Sequence, residues 1–414
     1  MGPAIIPPVL PVPGELLAHP LTQEGALRVS PLVAGAAAAI LVAALALWWP
    51  VSARPTAPRR DLLVDPWEGS LTPAQVALRI LSVALMAVAV AAGRLGSPRE
   101  LDNLAPALVV GAAWPGLLVL SSTLGPVWRW LDPWDGIARV VARGGTEEPG
   151  QPDVRLAAVA ALAWVWYLGV YAGSLSPRSV GLALGVYTVV TVGGCLALGR
   201  VWWLSRAEVF GILFGWLARL PRGLLPSWQP PRGASVLVGA LAGGLVFGEI
   251  RRSELWGELN VVPGAVVWAT LGLLGSAAVG IVVTQLLDRW ASREEGAGSV
   301  TAAAVPAVAS IAVAVSMARS RVFTSLQLLP SVLGDPFGLG WDPFGMEPRT
   351  LTAPLAPVRL ALVQLAILLV GHVAGAHVLA RRRPGSRVPG ALALAFLMGA
   401  TTMTLVHAPG LTHG

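Results

Sequence analysis

Long apolar stretches separated by short polar segments are the dominant pattern along this chain. A helix needs roughly 20 apolar residues to cross a bilayer, and the pattern predicts an all-α, polytopic membrane helix bundle with about ten transmembrane helices. The ten stretches are residues 31–50, 76–95, 104–124, 154–175, 180–203, 233–250, 261–286, 300–319, 357–380 and 388–408. The sixth is short and glycine-rich, and the count becomes nine if it does not cross.

Arginines are distributed unevenly between the two sides that these crossings define. The segments that follow odd-numbered stretches carry 19 arginines, and the remaining segments carry 10. Because cytoplasmic loops are rich in basic residues, this excess predicts that both termini lie outside the plasma membrane. The expected organisation is a proline-rich extracytoplasmic lead-in over 1–30, the transmembrane helix bundle over 31–408 and a short outer tail over 409–414.

Composition supports a membrane location and excludes several kinds of chemistry. Of the 414 residues, 55% are hydrophobic and only 12% are charged, whereas a soluble domain contains about 25% charged residues. The net charge is +7, and all 29 basic residues are arginines between apolar runs. The predicted partners are therefore the lipid bilayer and its anionic headgroups, and no nucleic acid. The absence of lysine excludes a Schiff base, and the single cysteine, Cys195, excludes an intrachain disulfide.

Two inner segments mix aromatic, apolar and basic residues without reaching the length of a span. They are residues 126–143 and 205–220. Each could lie flat in the headgroup layer with its arginines at lipid phosphates. Each could equally be an ordinary loop helix packed on the bundle.

An Asp-Pro-aromatic pattern occurs four times between the predicted spans. Aspartate can accept a hydrogen bond from a nearby backbone N–H and proline favours a turn, so the pattern is typical of helix starts and turns. The functional alternative is a site lined by carboxylates, for which the glycine-rich loop Gly334–Gly345 is the best candidate. Its carboxylates, Asp335 and Asp342, are the candidate catalytic residues. The four copies begin at Asp65, Asp132, Asp335 and Asp342.

The five histidines offer candidate ligands. His372 lies inside the ninth span, where an ionisable residue suggests either a cofactor site or a hydrogen-bonded structural role. His19, His407 and His413 all fall on the predicted outer side, and they could converge on one divalent metal ion.

Several segments together resemble a family of bacterial multi-pass membrane proteins known as fenitrothion hydrolase-like proteins. They are Ala18-His19, Leu124–Arg129 running into Leu131–Trp134, Asp335–Asp342 with Phe344-Gly345, and Gly371–Gly375. The resemblance implies phosphotriester hydrolysis, with Asp335 and Asp342 holding a divalent metal that His407 or His19 completes. Two positions depart from the family pattern: Ser310–Met317 contains neither histidine nor tyrosine, and the acid of Phe247-Gly248-Glu249 is displaced by one residue.

Three classes of function remain open from the sequence. The resemblance favours a membrane-bound hydrolase. The buried and outer histidines favour a protein that binds or transports a metal, haem or lipid. A non-catalytic membrane scaffold for a partner protein would need neither set of residues.

Overall fold

The computed structural model describes residues 30–48, 71–142, 152–252, 256, 265–293, 299–319, 322–343, 345, 357–382 and 386–406. Within these ranges the chain is all-helical and contains no β-strand. Residues 1–29, which make up nearly all of the predicted lead-in, lie outside the described residues, and so do residues 407–414, which include the predicted tail over 409–414. The Asp65-Pro66 motif and the histidines His19, His407 and His413 also lie outside them.

The helices follow one another with short connections. The third predicted span starts as a π-helical stretch, Pro106–Ala113, which continues directly into α3. The helices are α1 Pro31–Trp48, α2 Pro73–Leu95, α3 Trp114–Thr123, α4 Trp128–Leu131, α5 Pro133–Val141, α6 Arg155–Gly169, α7 Pro177–Leu198, α8 Arg200–Arg206, α9 Val209–Leu217, α10 Ala234–Ile250, α11 Ala265–Ala291, α12 Thr301–Arg319, α13 Val322–Gly334, α14 Pro357–Ala380 and α15 Arg387–Val406.

Each of the ten predicted stretches coincides with a helix, to within a few residues at most ends. Among the described residues, six helices are long and apolar enough to cross a membrane. A seventh candidate is the pair formed by α12 and α13, whose axes differ by 72°. The helices α1, α6 and α10 are apolar but shorter. The structure thus confirms an all-α architecture with six candidate membrane spans, which is consistent with a helical membrane bundle.

Helix α10 lies at the centre of the bundle, and glycines bring its backbone against α11. Nearly every α10 side chain is buried. A Cβ atom at Gly239 would lie 2.6 Å from the carbonyl oxygen of Gly280, and Ser276 Oγ donates a hydrogen bond to the Gly243 carbonyl oxygen at 2.8 Å. Small residues spaced four apart on both helices permit this approach, as is common where membrane helices cross closely.

The segment 205–220 packs among the bundle helices, as the loop-helix interpretation predicts. Gly199 turns the chain at φ +94°, α8 runs back along α7, and α9 follows after a turn at Ala207 and Glu208. Seven of the nine residues of α9 are buried, among them Ile212, Leu213 and Phe214. We call Arg200–Leu217 the inner hairpin.

The segment 126–143 also packs on the bundle, but only along one face. Trp134, Asp135 and Ala138 are buried, whereas Trp130 and Val140 are exposed. The Asp132 carboxylate accepts hydrogen bonds from the backbone N–H groups of Trp134 and Asp135, both at 3.0 Å, and so caps α5. The helix-start interpretation of the Asp-Pro-aromatic pattern is confirmed at this position.

Candidate functional site

The loop that carries the candidate catalytic residues is a structured turn at the surface. Asp335 Oδ2 accepts hydrogen bonds from the backbone N–H groups of Gly340 at 2.6 Å and Trp341 at 2.9 Å. Partial burial raises the pKa of Asp335, but the backbone N–H groups of residues 338–341 outweigh it, so the net shift is downward. The turn interpretation therefore accounts for Asp335, and Asp342 is exposed at the end of the same loop.

The loop Gly334–Gly345 is held against the segment that connects α2 to the third span. The carbonyl oxygens of Phe337 and Pro336 accept hydrogen bonds from the backbone N–H groups of Ser97 at 2.7 Å and Leu104 at 3.1 Å. Gly338, at φ +67°, faces the carbonyl oxygen of Asp102, where a side chain would not fit. These contacts order the loop and bring Asp102 beside it, but the carboxylates there do not form a group that could hold a metal ion in the described part of the chain.

His372 is completely buried inside α14. Its Nδ1 lies 2.7 Å from the Leu368 carbonyl oxygen, one turn earlier, and its Nε2 has no hydrogen-bond partner among the described residues. No group of three histidine, cysteine, aspartate or glutamate side chains within the described ranges could hold a metal ion. The convergence of His19, His407 and His413 is a prediction about residues outside those ranges.

A cavity of about 410 Å³ lies between four elements that are distant in sequence. They are the third span, α6 with the turn that follows it, α10 and α12. Most of its lining is apolar or aromatic. The lining residues are Val110, Trp114, Trp164, Val165, Leu168, Gly169, Ser174, Leu175, Gly244, Leu245, Gly248, Arg252, Val315 and Ser316.

Two tryptophan rings in the lining, Trp114 and Trp164, form the floor of the cavity. Trp114 and Trp164 meet edge to face at 5.6 Å between ring centroids, and Phe210 of the inner hairpin packs against them at 5.8 Å and 5.5 Å. Trp114 follows directly on the π-helical stretch, whose wider turns are frequent at functional sites. The floor therefore separates the cavity from the inner hairpin by one layer of rings.

The opposite end of the cavity is polar. Arg252 Nη1 lies 3.2 Å from Glu249 Oε1, and Arg252 lines the cavity together with the hydroxyl-bearing Ser174. Arg251 Nη1 donates a hydrogen bond to the Gly169 carbonyl oxygen at 2.6 Å, which ties the end of α10 to the end of α6. Glu249 is the displaced acid noted in the sequence, and it is buried beside the cavity as the partner of Arg252.

Below the aromatic floor, the start of α9 carries a buried carboxylate. Glu208 caps α9 by accepting hydrogen bonds from the backbone N–H groups of Phe210 at 3.1 Å and Gly211 at 2.5 Å. Tyr187 of α7 donates to Glu208 Oε1 at 2.8 Å. Tyr187 lies eleven residues before Leu198, so at 1.5 Å per residue the hairpin tip reaches about 16 Å along α7 from its end. The inner hairpin thus enters deep between the helices.

The cavity was not among the sites predicted from the sequence. None of its lining residues was a predicted site residue, and Glu249 was noted only as a departure from a family pattern. A tryptophan in mid-span and an arginine at a helix end were the available signals, but only tertiary packing brings them to one cavity.

No family model matches the chain, and neither a curated protein nor a solved structure shows significant similarity to it.

Proposed function

We propose that this chain is a plasma-membrane protein with ten crossings that binds an amphiphilic, lipid-like molecule in the cavity between α3, α6, α10 and α12. One observation carries the proposal: the cavity of about 410 Å³ has an aromatic floor, apolar walls and an arginine at its opposite end. Small-molecule sites in proteins have volumes of roughly 300–1,000 Å³, mostly apolar linings and a few polar groups that fix the ligand's orientation. Of the functions open from the sequence, lipid binding is the one with such a site.

The contacts between connecting segments support ten crossings whose connections alternate between two sides. Segments that the arginine distribution assigns to the inner side contact one another: Arg79 and Arg200 meet Asp135, and Arg382 donates to the carbonyl oxygens of Leu225 and Trp228. On the outer side, Arg94 lies near the Arg178 carbonyl oxygen, Arg251 reaches that of Gly169, and Ser97 reaches that of Phe337. Each of these contacts joins segments of one predicted side.

The same assignment gives the cavity an orientation. Gly169 ends α6 and Ser174 follows it on the predicted outer side, and Arg252 follows the predicted outer end of α10. The polar end of the cavity therefore faces outward, and its aromatic floor lies toward the middle of the membrane. An amphiphile would place its polar group beside Arg252 and its apolar part on the tryptophans.

A cavity-filling substitution tests the proposal. A Cβ atom at Gly169 would have nothing closer than 3.9 Å, so Gly169→Leu fits the fold and projects into the lined space. We expect this variant to bind a radiolabelled C18 fatty acid in detergent at least tenfold more weakly than the unmodified protein, as measured by equilibrium binding.

Gly193→Leu is the matched control. Gly193 lies on α7, where a Cβ atom would meet nothing within 4 Å, so the same change leaves the cavity untouched. Equal binding by both variants, or no binding by the unmodified protein, would overturn the proposal.

The resemblance to fenitrothion hydrolase-like proteins remains a prediction with a different site. It requires Asp335 and Asp342 to act on a phosphotriester, whereas lipid binding in the cavity requires neither. Phosphotriester turnover by the purified protein that disappears in Asp335→Ala and Asp342→Ala variants, both normally inserted, would favour the hydrolase.

A further inference from the structure

A polar cleft of about 320 Å³ lies between the start of α10 and the end of α11. Every side chain that the structure places in its lining is polar. The lining residues are Ser235, Gln285, Asp288, Arg289, Ser292 and Arg293. Ser235 lies in the first turn of α10, about 25 Å along that helix from Arg252 at its other end. The cleft is therefore distinct from the cavity, and the arginine distribution assigns it to the predicted inner side.

The charges of the cleft are two guanidiniums and one carboxylate. The carboxylate of Asp288 is engaged by the start of α12: it accepts hydrogen bonds from Ser299 Oγ at 3.0 Å and from the Thr301 backbone N–H and hydroxyl at 3.1 Å and 2.6 Å. Arg289 lies in the last turn of α11 and Arg293 in the turn that follows, and both are exposed. The cleft therefore offers positive charge to an anion that comes from outside the protein.

An exposed apolar stripe on α11 leads to the first of these arginines. Val279, Val282 and Leu286 are 54%, 52% and 56% exposed, and we call them the apolar stripe. Residues spaced three and four apart share one face of a helix, so Arg289 continues the face of the stripe. Helix α11 is long and apolar enough to cross a membrane, and exposed apolar side chains on such a helix lie against lipid chains. The cleft thus lies where a lipid-facing surface ends.

We propose that the cleft and the apolar stripe together bind one anionic phospholipid of the inner leaflet. Its phosphate pairs with Arg289 and Arg293, since guanidiniums make charge-assisted, bidentate hydrogen bonds to phosphate oxygens. Ser235 and Gln285 supply further donors, and an acyl chain follows the apolar stripe. Trp290 is 46% exposed between the two arginines, as is common for an indole at the level of the headgroups. This proposal does not depend on a ligand in the cavity.

The test compares two phospholipids that differ in net charge. Equilibrium binding of radiolabelled dioleoyl phosphatidylglycerol to the purified protein in detergent is measured beside that of dioleoyl phosphatidylcholine, whose ammonium group cancels the charge of its phosphate. We expect phosphatidylglycerol to bind about tenfold more tightly at low salt, because two arginines attract its net charge. The preference should fall as salt is added, because the arginines are exposed and their charges are screened.

Variants connect the preference to the cleft. Arg289→Gln combined with Arg293→Gln removes both positive charges, and we expect the two lipids then to bind within about twofold of each other. The matched control combines Arg178→Gln with Arg222→Gln, which removes two exposed arginines outside the cleft and changes the net charge by the same amount. The control should keep the preference. Gly169→Leu, which fills the cavity, should keep it as well.

Several outcomes would overturn the proposal. They are equal binding of the two lipids by the unmodified protein, a preference that salt does not weaken, and a preference that survives in the Arg289 and Arg293 double variant or disappears equally in the control. Loss of the preference in Gly169→Leu alone would place the acidic lipid in the cavity instead. Displacement of phosphatidylglycerol by millimolar inorganic phosphate would show that the cleft takes a free anion and not a lipid. Thermal unfolding of each variant shows whether a loss of binding reflects a loss of fold.

Discussion

Asp135 organises one end of the bundle through three arginines that share its carboxylate. Oδ2 accepts from Arg79 Nη1 and from Arg139 Nε at 2.9 Å, and Oδ1 accepts from Arg200 Nη1 at 2.5 Å. Asp135 is fully buried and Arg79 nearly so. Arg79 also donates to the Arg129 carbonyl oxygen at 2.7 Å. One carboxylate thus joins α2, α5 and the inner hairpin.

We expect Asp135→Asn to destabilise the protein strongly. Removing one partner of a buried ion pair leaves an uncompensated charge and typically costs about 3–5 kcal/mol. Thermal unfolding followed by tryptophan fluorescence measures the loss. The control is Asp102→Asn, which breaks an exposed pair with Arg99 at 3.7 Å; exposed pairs contribute about 0–1 kcal/mol. Similar losses in both variants would contradict a special role for Asp135.

At the residue scale, the sequence predicted local chemistry well and distant partners poorly. The turn chemistry of Asp132 and Asp335 was predictable because their hydrogen-bond partners lie within six residues. The ion-pair partner of Arg79 was not predictable from the sequence, because Asp135 lies 56 residues away and only the packing of α2 against α5 brings the two side chains together. The buried position of His372 followed from its place in an apolar run, whereas its cofactor role stays a prediction.

At the scale of elements, glycine positions decide how closely neighbouring helices approach. A Cβ atom at Gly280 of α11 would overlap the carbonyl oxygen of Gly239, and one at Gly371 of α14 would overlap Ser310 of α12. With 47 glycines in the chain, glycine spacing alone did not reveal these crossings. The pair Gly371 and Gly375 lies at a crossing, whereas a Cβ atom at Gly169 would have ample space.

Gly280→Ala should force α10 and α11 apart. The clash involves backbone on both helices, so no side-chain rotation relieves it, and overpacking of this kind costs about 1–3 kcal/mol. The matched control on the same helix is Gly275→Ala, where a Cβ atom would meet nothing within 4 Å. We expect a lower unfolding temperature for Gly280→Ala and an unchanged or higher one for Gly275→Ala. Unchanged stability in both variants would show that the crossing tolerates separation.

The sequence could not predict whether the inner hairpin lies at the membrane surface or packs inside the bundle. Val209–Leu217 has nine residues, too few to cross a bilayer, and the flanking Arg206 and Glu208 interrupt the apolar run. Hydropathy therefore left both a surface location and a packed one open. The packed location depends on contacts from other helices. Tyr187 donates a hydrogen bond to Glu208, and Trp114 and Trp164 make aromatic contacts with Phe210.

At the scale of the whole molecule, the proposed ten crossings predict which surfaces a membrane-impermeant thiol reagent can reach. Replacing Cys195 by alanine gives a cysteine-free background, because the chain has no other cysteine. Single cysteines are then introduced at five exposed positions. The sites are Arg99, Arg178 and Leu339, predicted outside, and Arg222 and Arg293, predicted inside.

We expect the three outer cysteines to react in intact cells and the two inner ones only after permeabilisation. The arginine distribution predicts which of the five sites lie outside. The alternation of labelled and protected sites along the chain tests the number of crossings between them. Labelling of Arg222→Cys or Arg293→Cys in intact cells would contradict the arrangement. The sequence could predict this two-sided layout because it depends on composition, whereas the cavity depends on the meeting of four separate segments.

The inner hairpin has a consequence for how the chain is made. As a helix, Val209–Leu217 is about 13 Å long, far short of the roughly 30 Å of hydrocarbon that a newly synthesised segment must traverse to be released into lipid. Surrounded by lipid alone, the backbone around Glu208 would lack some of its partners, which is prohibitive in a bilayer core. We therefore expect the hairpin to stay at the membrane surface until α6, α7 and the third span have come together. On this expectation, biosynthesis includes a late step, after the crossing helices are inserted, in which the hairpin enters an interior that its neighbours have already formed.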